Sequence, residues 1–84
     1  MGYVRTHIRL NNTNEANEFV MALNSEGTVD KYVIENYDRS HRVSARSLVR
    51  VIYAMTDYND EMYFVNETDH DSIPNCIDKY RVNG

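Results

Sequence analysis

The stretch Tyr3-Val4-Arg5-Thr6-His7-Ile8-Arg9-Leu10-Asn11-Asn12-Thr13-Asn14-Glu15-Ala16-Asn17-Glu18-Phe19-Val20-Met21-Ala22-Leu23 changes its hydrophobic period partway along, and that change decides the fold class. From Tyr3 to Leu10 the side chains alternate, with Val4, Thr6, Ile8 and Leu10 on one side and Tyr3, Arg5, His7 and Arg9 on the other. Period two belongs to a strand with one buried face. Asn12 then suits a helix N-cap, and Glu15, three residues on, suits the return bond to the Asn12 amide. Ala16, Phe19, Val20 and Leu23 follow at i, i+3, i+4 and i+7, one apolar stripe on a helix. Gly27 supplies the left-handed conformation that commonly closes such a helix.

The rest of the chain repeats this alternation of periods. Thr28 to Tyr37 is rich in β-branched and aromatic residues and predicts a second strand over about Val29–Glu35. Asn36 to Ser40 reads as a polar turn and His41 to Ser44 as a short third strand. Ser47 suits the cap of a second helix, on which Leu48, Val51, Ile52 and Met55 stand at helical spacing. Tyr58-Asn59-Asp60 turns the chain into a fourth strand, Glu61 to Glu67, centred on Met62 and Phe64. After a charged loop, Ser72 is placed to cap a last short helix, with Pro74 in its first turn and Ile73, Cys76, Ile77 and Tyr80 on one face. The order β-α-β-β-α-β-α predicts an α+β domain, an open-faced sandwich in which a four-stranded, mostly antiparallel sheet carries its helices on one face.

The chain's 84 residues make a single domain, 1–84, with no room for a second. A hydrophobic fraction of 42% and a single proline indicate a folded chain rather than a disordered one. The N-terminus enters the alternating pattern directly, without an apolar leader, and no apolar run approaches the ~20 residues of a spanning helix. Cys76 is the only cysteine, which rules out an internal disulfide and fits a reducing compartment. The expected setting is soluble and cytoplasmic, without a membrane. A net charge of −4 argues against nonspecific nucleic-acid binding, although Arg39, Arg42, Arg46 and Arg50 gather in the middle of the chain.

Several constellations fall short of a site. Asp57-Tyr58-Asn59-Asp60-Glu61 lacks the glycine and the terminal glutamate of a calcium loop. In Asp69-His70-Asp71, three neighbouring ligands cannot all turn to one ion. His41 has no evident carboxylate to orient it and no nucleophile beside it. Cys76 sits on an apolar helix face and reads as packed rather than reactive. No catalytic residue, metal or cofactor is indicated.

One segment is more specific. Val43-Ser44-Ala45-Arg46-Ser47-Leu48-Val49-Arg50-Val51-Ile52 resembles the third-strand-to-second-helix junction of HPr, the histidine-containing phosphocarrier of the bacterial sugar phosphotransferase system. There the pattern runs V-x-[AL]-K-S-[IL]-[ML]-G-[VI]-[ML]. Val43, Ala45, Ser47, Leu48, Val51 and Ile52 fit it, and Arg46 replaces the lysine. The length and the order of elements agree as well. Two departures stand out. The family's phosphorylated histidine lies in a G-x-H-A-R-P motif, whereas this chain has Leu10-Asn11-Asn12-Thr13-Asn14-Glu15-Ala16 there, with Asn12 near the histidine slot and Asn14 near the arginine slot. Asparagine carries no transferable phosphoryl group, so the phosphohistidine loop is vacant. Arg50 also occupies a glycine position on the family's docking face.

The resemblance implies a non-catalytic, HPr-like regulatory or protein-binding domain, linked to phosphotransferase regulation. The alternative is an active phosphocarrier. A third reading is an unrelated α+β subunit whose patterning is convergent. The resemblance also implies a regulatory phosphorylation at Ser47, supported by Arg46, beside the plainer reading of Ser47 as a cap. It implies a partner surface of Leu48, Val49 and Ile52, extended by Arg50 and Tyr53, with Val51 and Ala54 facing the core. Periodicity alone buries Leu48, Ile52 and Met55 instead, and partial exposure of Leu48 and Ile52 is the expectation between the two. The oligomeric state, the partner and the pathway are not legible in the sequence.

Overall fold

A computed structural model describes residues 4–59 and 61–82, in the order β1 (Thr6–Ile8), α1 (Thr13–Asn24), β2 (Tyr32–Glu35), β3 (Arg42–Ser44), α2 (Leu48–Asp57), β4 (Met62–Asn66) and a closing 3₁₀ helix (Asn75–Tyr80). The strand start expected at Tyr3 and the part of Asp60 in its turn lie outside the described residues. The four strands form one sheet in the order β1-β4-β2-β3. Every neighbouring pair is antiparallel. Strands β1 and β2 both run opposite to β4, so they are mutually parallel with β4 between them. Strands β3 and β4 stand in the same relation across β2. Each helix therefore crosses over one intervening strand, and the two crossovers interlock.

Register assigns the faces. Thr6 and Ile8 lie opposite Phe64 and Met62, while Tyr32 and Ile34 lie opposite Asn66 and Phe64. This face packs against Ala16, Phe19, Val20 and Leu23 of α1, Val51 and Ala54 of α2, and Ile77 and Tyr80 of the 3₁₀ helix in one buried cluster. All three helices thus cover the same side. Phe19 sits at the middle, edge-on to Phe64 at 6.2 Å and to Tyr80 at 5.5 Å between ring centroids.

The α1 cap forms with one difference from expectation. Asn12 Oδ1 accepts from the Glu15 amide at 2.9 Å, and Glu15 Oε1 accepts from the amide of Asn11, not Asn12, at 2.8 Å. With Asn12 fully extended (φ −159°, ψ 174°), the preceding amide is the one that faces Glu15. The helix ends at Ser25, and Gly27, at φ +76°, turns the chain beyond it.

The observed strands are shorter than expected, for identifiable reasons. Strand β2 begins at Tyr32 rather than Val29, which is 98% exposed. The carbonyls of Thr28 and Asp30 accept from the Arg46 guanidinium instead of from a neighbouring strand. Strand β1 narrows to Thr6–Ile8, and its outer side is closed by the C-terminal segment. Arg81 bridges to Ile8, Arg9 N–H donates to Tyr80 O at 2.8 Å, and Val82 N–H donates to His7 O at 2.9 Å. Ser72 does not cap the last helix. Its carbonyl accepts from Asn66 Nδ2 at 2.9 Å, its amide donates to Asp69, and Pro74 precedes the first helical residue without a side-chain cap.

Candidate functional site

Ser47 leads α2 in an extended conformation, and its hydroxyl accepts from the Arg50 amide at 3.4 Å, which makes it the helix cap. From there the helix carries three kinds of surface. Val51 and Ala54 are completely buried. Leu48, Ile52 and Met55 are half-buried against the edge of the core. Val49 is 76% exposed and Tyr53 is 52% exposed. At i and i+4 these two stand one above the other. Arg50 is exposed on the flank. The partial exposure expected of Leu48 and Ile52 is thus what α2 shows, between the full burial that strict periodicity gives and an exposed patch. Leu48 and Ile52 anchor the helix with one side, while Val49 and Tyr53 carry the free apolar surface. Ile52→Ser is expected to cost about 1–2 kcal/mol in urea unfolding, and Val49→Ser less than about 0.5 kcal/mol.

Arg46 has a different place from the one expected beside a Ser47 phosphate. Its guanidinium reaches away from α2, into the gap between the end of α1 and the approach to β2. There Nη1 donates to Leu23 O at 3.3 Å and to Asn24 Oδ1 at 3.2 Å. Nη2 donates to Thr28 O and Thr28 Oγ1, each at 3.1 Å, and to Asp30 O at 3.0 Å. The same group lies over the Tyr32 ring, 4.6 Å from its centroid. A planar fork of fixed donors suits such a cluster of carbonyls. With Arg46 engaged there, Arg50 and the amides of the first turn of α2 are the groups that follow Ser47 on its own helix.

In the loop between β1 and α1, Asn12 is the α1 cap, and Asn14 is exposed in the helix's first turn. Asn11 of that loop lines a cleft of about 410 Å3 together with Arg9, Lys79 and Arg81 and with Glu15 and Glu18. The three histidines stand elsewhere. His7 is in mid-strand, stacked on Tyr63 at 4.7 Å. His41 Nδ1 lies 3.0 Å from the Ser40 hydroxyl, within an exposed turn. In that turn, hydrogen bonds from the Ser40 hydroxyl and amide hold the Asp38 carboxyl below its usual range. His70 belongs to the loop after β4. Burial, and after it the Glu26 carboxylate, pushes the Cys76 thiol upward, away from the reactive thiolate.

The sheet face away from the helices, the side on which alternation placed Arg5 and His7, holds a charged cluster. Glu35 is completely buried there. Its Oε1 accepts from Arg5 Nε at 3.0 Å, and Arg42 lies 3.7 Å from Oε2. Arg42 also pairs with Glu67, to which Lys31 approaches within 3.4 Å. Arg5 lies over Tyr63 at 4.1 Å and donates to the carbonyls of Asn36 and Tyr37. Beneath this layer Val33 and Val65 are buried. Long side chains seal the face in place of a helix. The only sequence signal for it was the outward parity of Arg5 and His7 in the first strand.

No protein-family model matches the chain, and no curated protein or solved structure is detectably similar to it. Among the described residues no helix is long and apolar enough to cross a membrane.

Proposed function

We propose that this chain is a non-catalytic binding domain, HPr-like in type, which docks a protein partner through the outer face of α2 and acts in the bacterial cytoplasm in phosphotransferase regulation. The observation that carries the reading is the exposed pair Val49 and Tyr53, continuous with the half-buried Leu48 and Ile52 and flanked by Arg50. An apolar centre with an aromatic ring and an arginine at its margin is the composition of a protein-binding patch. Ser47 lies at the N-terminal end of the same surface. A phosphoryl group there would set a dianion at the end of that apolar surface, in place of the capping hydroxyl and beside the first-turn amides and Arg50. Against the carrier reading, the Asn12 side chain is engaged with the Glu15 amide. Moreover, none of the three histidines occupies a helix N-terminus, where a phosphoryl group would be stabilised.

Intact mass separates these roles. The protein is incubated with phosphoenolpyruvate and the general phosphotransferase enzyme, and in parallel with ATP and an HPr-type kinase. The reading predicts no acid-labile phosphate in the first sample. A stable phosphate in the second, lost in Ser47→Ala, would establish Ser47 as a switch. An acid-labile phosphate in the first would overturn the non-catalytic reading.

A further inference from the structure

Two turns wall a cleft of about 270 Å3 at the C-terminal end of α2. One follows β2 and brings Tyr37 and Asp38, and the other follows α2 and brings Asp57, Tyr58 and Glu61. Among the described residues its charged lining is Asp38, Asp57 and Glu61, without a lysine, arginine or histidine. Unlike the carboxylates of the open sheet face, Asp57 and Glu61 enter no ion pair among the described residues. Asp38 Oδ1 accepts from the Ser40 amide at 3.0 Å, a bond that favours the charged carboxylate. The C-terminal pole of α2 adds negative potential, and its last turn carries no cation to offset it.

A second observation comes from Tyr58, the C-cap residue of α2, which walls the same cleft and is only 5% exposed. Its hydroxyl is buried without a hydrogen-bond partner among the described residues. Burial, and after it the Tyr53 and Asp57 side chains, push that hydroxyl up, so it stands near a carboxylate of the cleft wall. Folded proteins pair nearly all such groups, and a neutral phenol can accept an N–H as well as donate.

The lining selects a cation, and its layout selects an organic one. Among the described residues no three acidic, histidine or cysteine side chains converge to hold a metal ion. The cleft is also far larger than an ion. An alkyl chain fills such a space against Tyr37, whose ring is 61% exposed and attracts an ammonium group. A primary ammonium has three N–H donors, enough for two carboxylates and a hydroxyl.

We propose that the cleft at the end of α2 binds a primary alkylammonium group, supplied by a free polyamine or by a lysine side chain. The ammonium meets Asp57, Glu61 and the Tyr58 hydroxyl, Asp38 adds its charge, and the alkyl chain lies along Tyr37.

The test is an amide-resolved NMR titration of the full chain at low salt with putrescine, and in parallel with N-acetyl-lysine methylamide. Saturating shifts are expected at Tyr37, Asp38, Asp57 and Glu61. Asp57→Asn combined with Glu61→Gln should weaken binding about tenfold. Tyr58→Phe should weaken it about threefold while raising the melting temperature, because the hydroxyl it removes leaves no partner behind. That opposition separates a binding role from a structural one. Putrescine binding about tenfold tighter than the lysine probe assigns the site to a free polyamine, and comparable binding assigns it to a lysine side chain. The proposal is overturned if neither probe moves these resonances at millimolar concentration, or if Tyr58→Phe binds as well as the parent. Equal binding of tetramethylammonium, which has the charge but no N–H, would overturn it too. The same shifts produced by calcium at lower concentration would make the cleft a divalent-cation site and contradict it as well.

Discussion

Glu35→Ala is expected to lower the unfolding free energy by about 3 kcal/mol at neutral pH, seen as an earlier denaturant midpoint with an unchanged slope. Glu35 is fully buried on a face that no helix covers, and Arg5 and Arg42 converge on its two oxygens. Truncating it leaves the Arg5 guanidinium, on a side chain only 16% exposed, without its carboxylate. The loss stays at the lower end of what breaking a buried pair costs. Arg5 keeps the carbonyls of Asn36 and Tyr37, and Arg42 keeps Glu67. The pair as a whole contributes less than its truncation suggests, because both groups gave up hydration to form it. Arg5→Met combined with Glu35→Leu should therefore return to within about 1 kcal/mol of the parent protein. A double variant as unstable as the single one would mean that the ion pair itself, rather than the stranded charge, holds the face.

Arg46→Ala is expected to cost a similar amount, about 3 kcal/mol, and to do so by a different route. Here the exposed consequence is a set of acceptors: the carbonyls of Thr28 and Asp30 lose the Arg46 donor together, that of Leu23 is left with the Glu26 amide, and Tyr32 loses the group lying over its ring. Amide hydrogen exchange in residues 24–31 should quicken more than in α2, since the clamp holds that segment and not the helix it precedes. Arg46→Lys should recover only a minor part of the stability. An ammonium is a point donor and cannot serve carbonyls on two sides of a gap at once.

This second prediction bears on the resemblance to HPr. Within residues 43–52, each matched position has a structural task at the strand-to-helix junction. Val43 packs on the core, Ala45 is fully buried, Ser47 caps α2, Leu48 and Ile52 anchor its flank and Val51 fills its inner face. Arg46, which stands where the family pattern has lysine, ties that junction to the end of α1. The pattern thus describes how a strand is handed to a helix over a sheet. The functional reading rests on what is exposed beyond it, Val49, Arg50 and Tyr53.

Local signals were the legible ones. Asn12 and Ser47 could be read as caps because a cap needs only its own next turn, and the α1 stripe could be read because it repeats within one helix. The α+β class and the single helical face followed from those periods. What could not be read depended on partners far along the chain. The β-branched Val29 looked like strand, but Arg46, many residues later, takes the carbonyls on either side of it. Ser72 looked like a cap, but Asn66 claims its carbonyl. Arg5 and Glu35 meet across 30 positions, so alternation could put Arg5 on the outer face without showing that this face is sealed. At the site, heptad-like spacing made Leu48 and Ile52 equivalent to core positions. Their half-burial follows from where α2 lies over the sheet, and no local pattern encodes that.

The central claim, that α2 presents the docking surface, is tested most directly by site-specific photo-crosslinking in cells of the source organism. A benzophenone side chain is placed at Val49, and as a control at Asn17, an exposed position on α1. Val49 is expected to give a discrete adduct of one added protein, abolished by Tyr53→Asp in the same chain and absent from Asn17. No discrete adduct from Val49, or the same adducts from both positions, would contradict it.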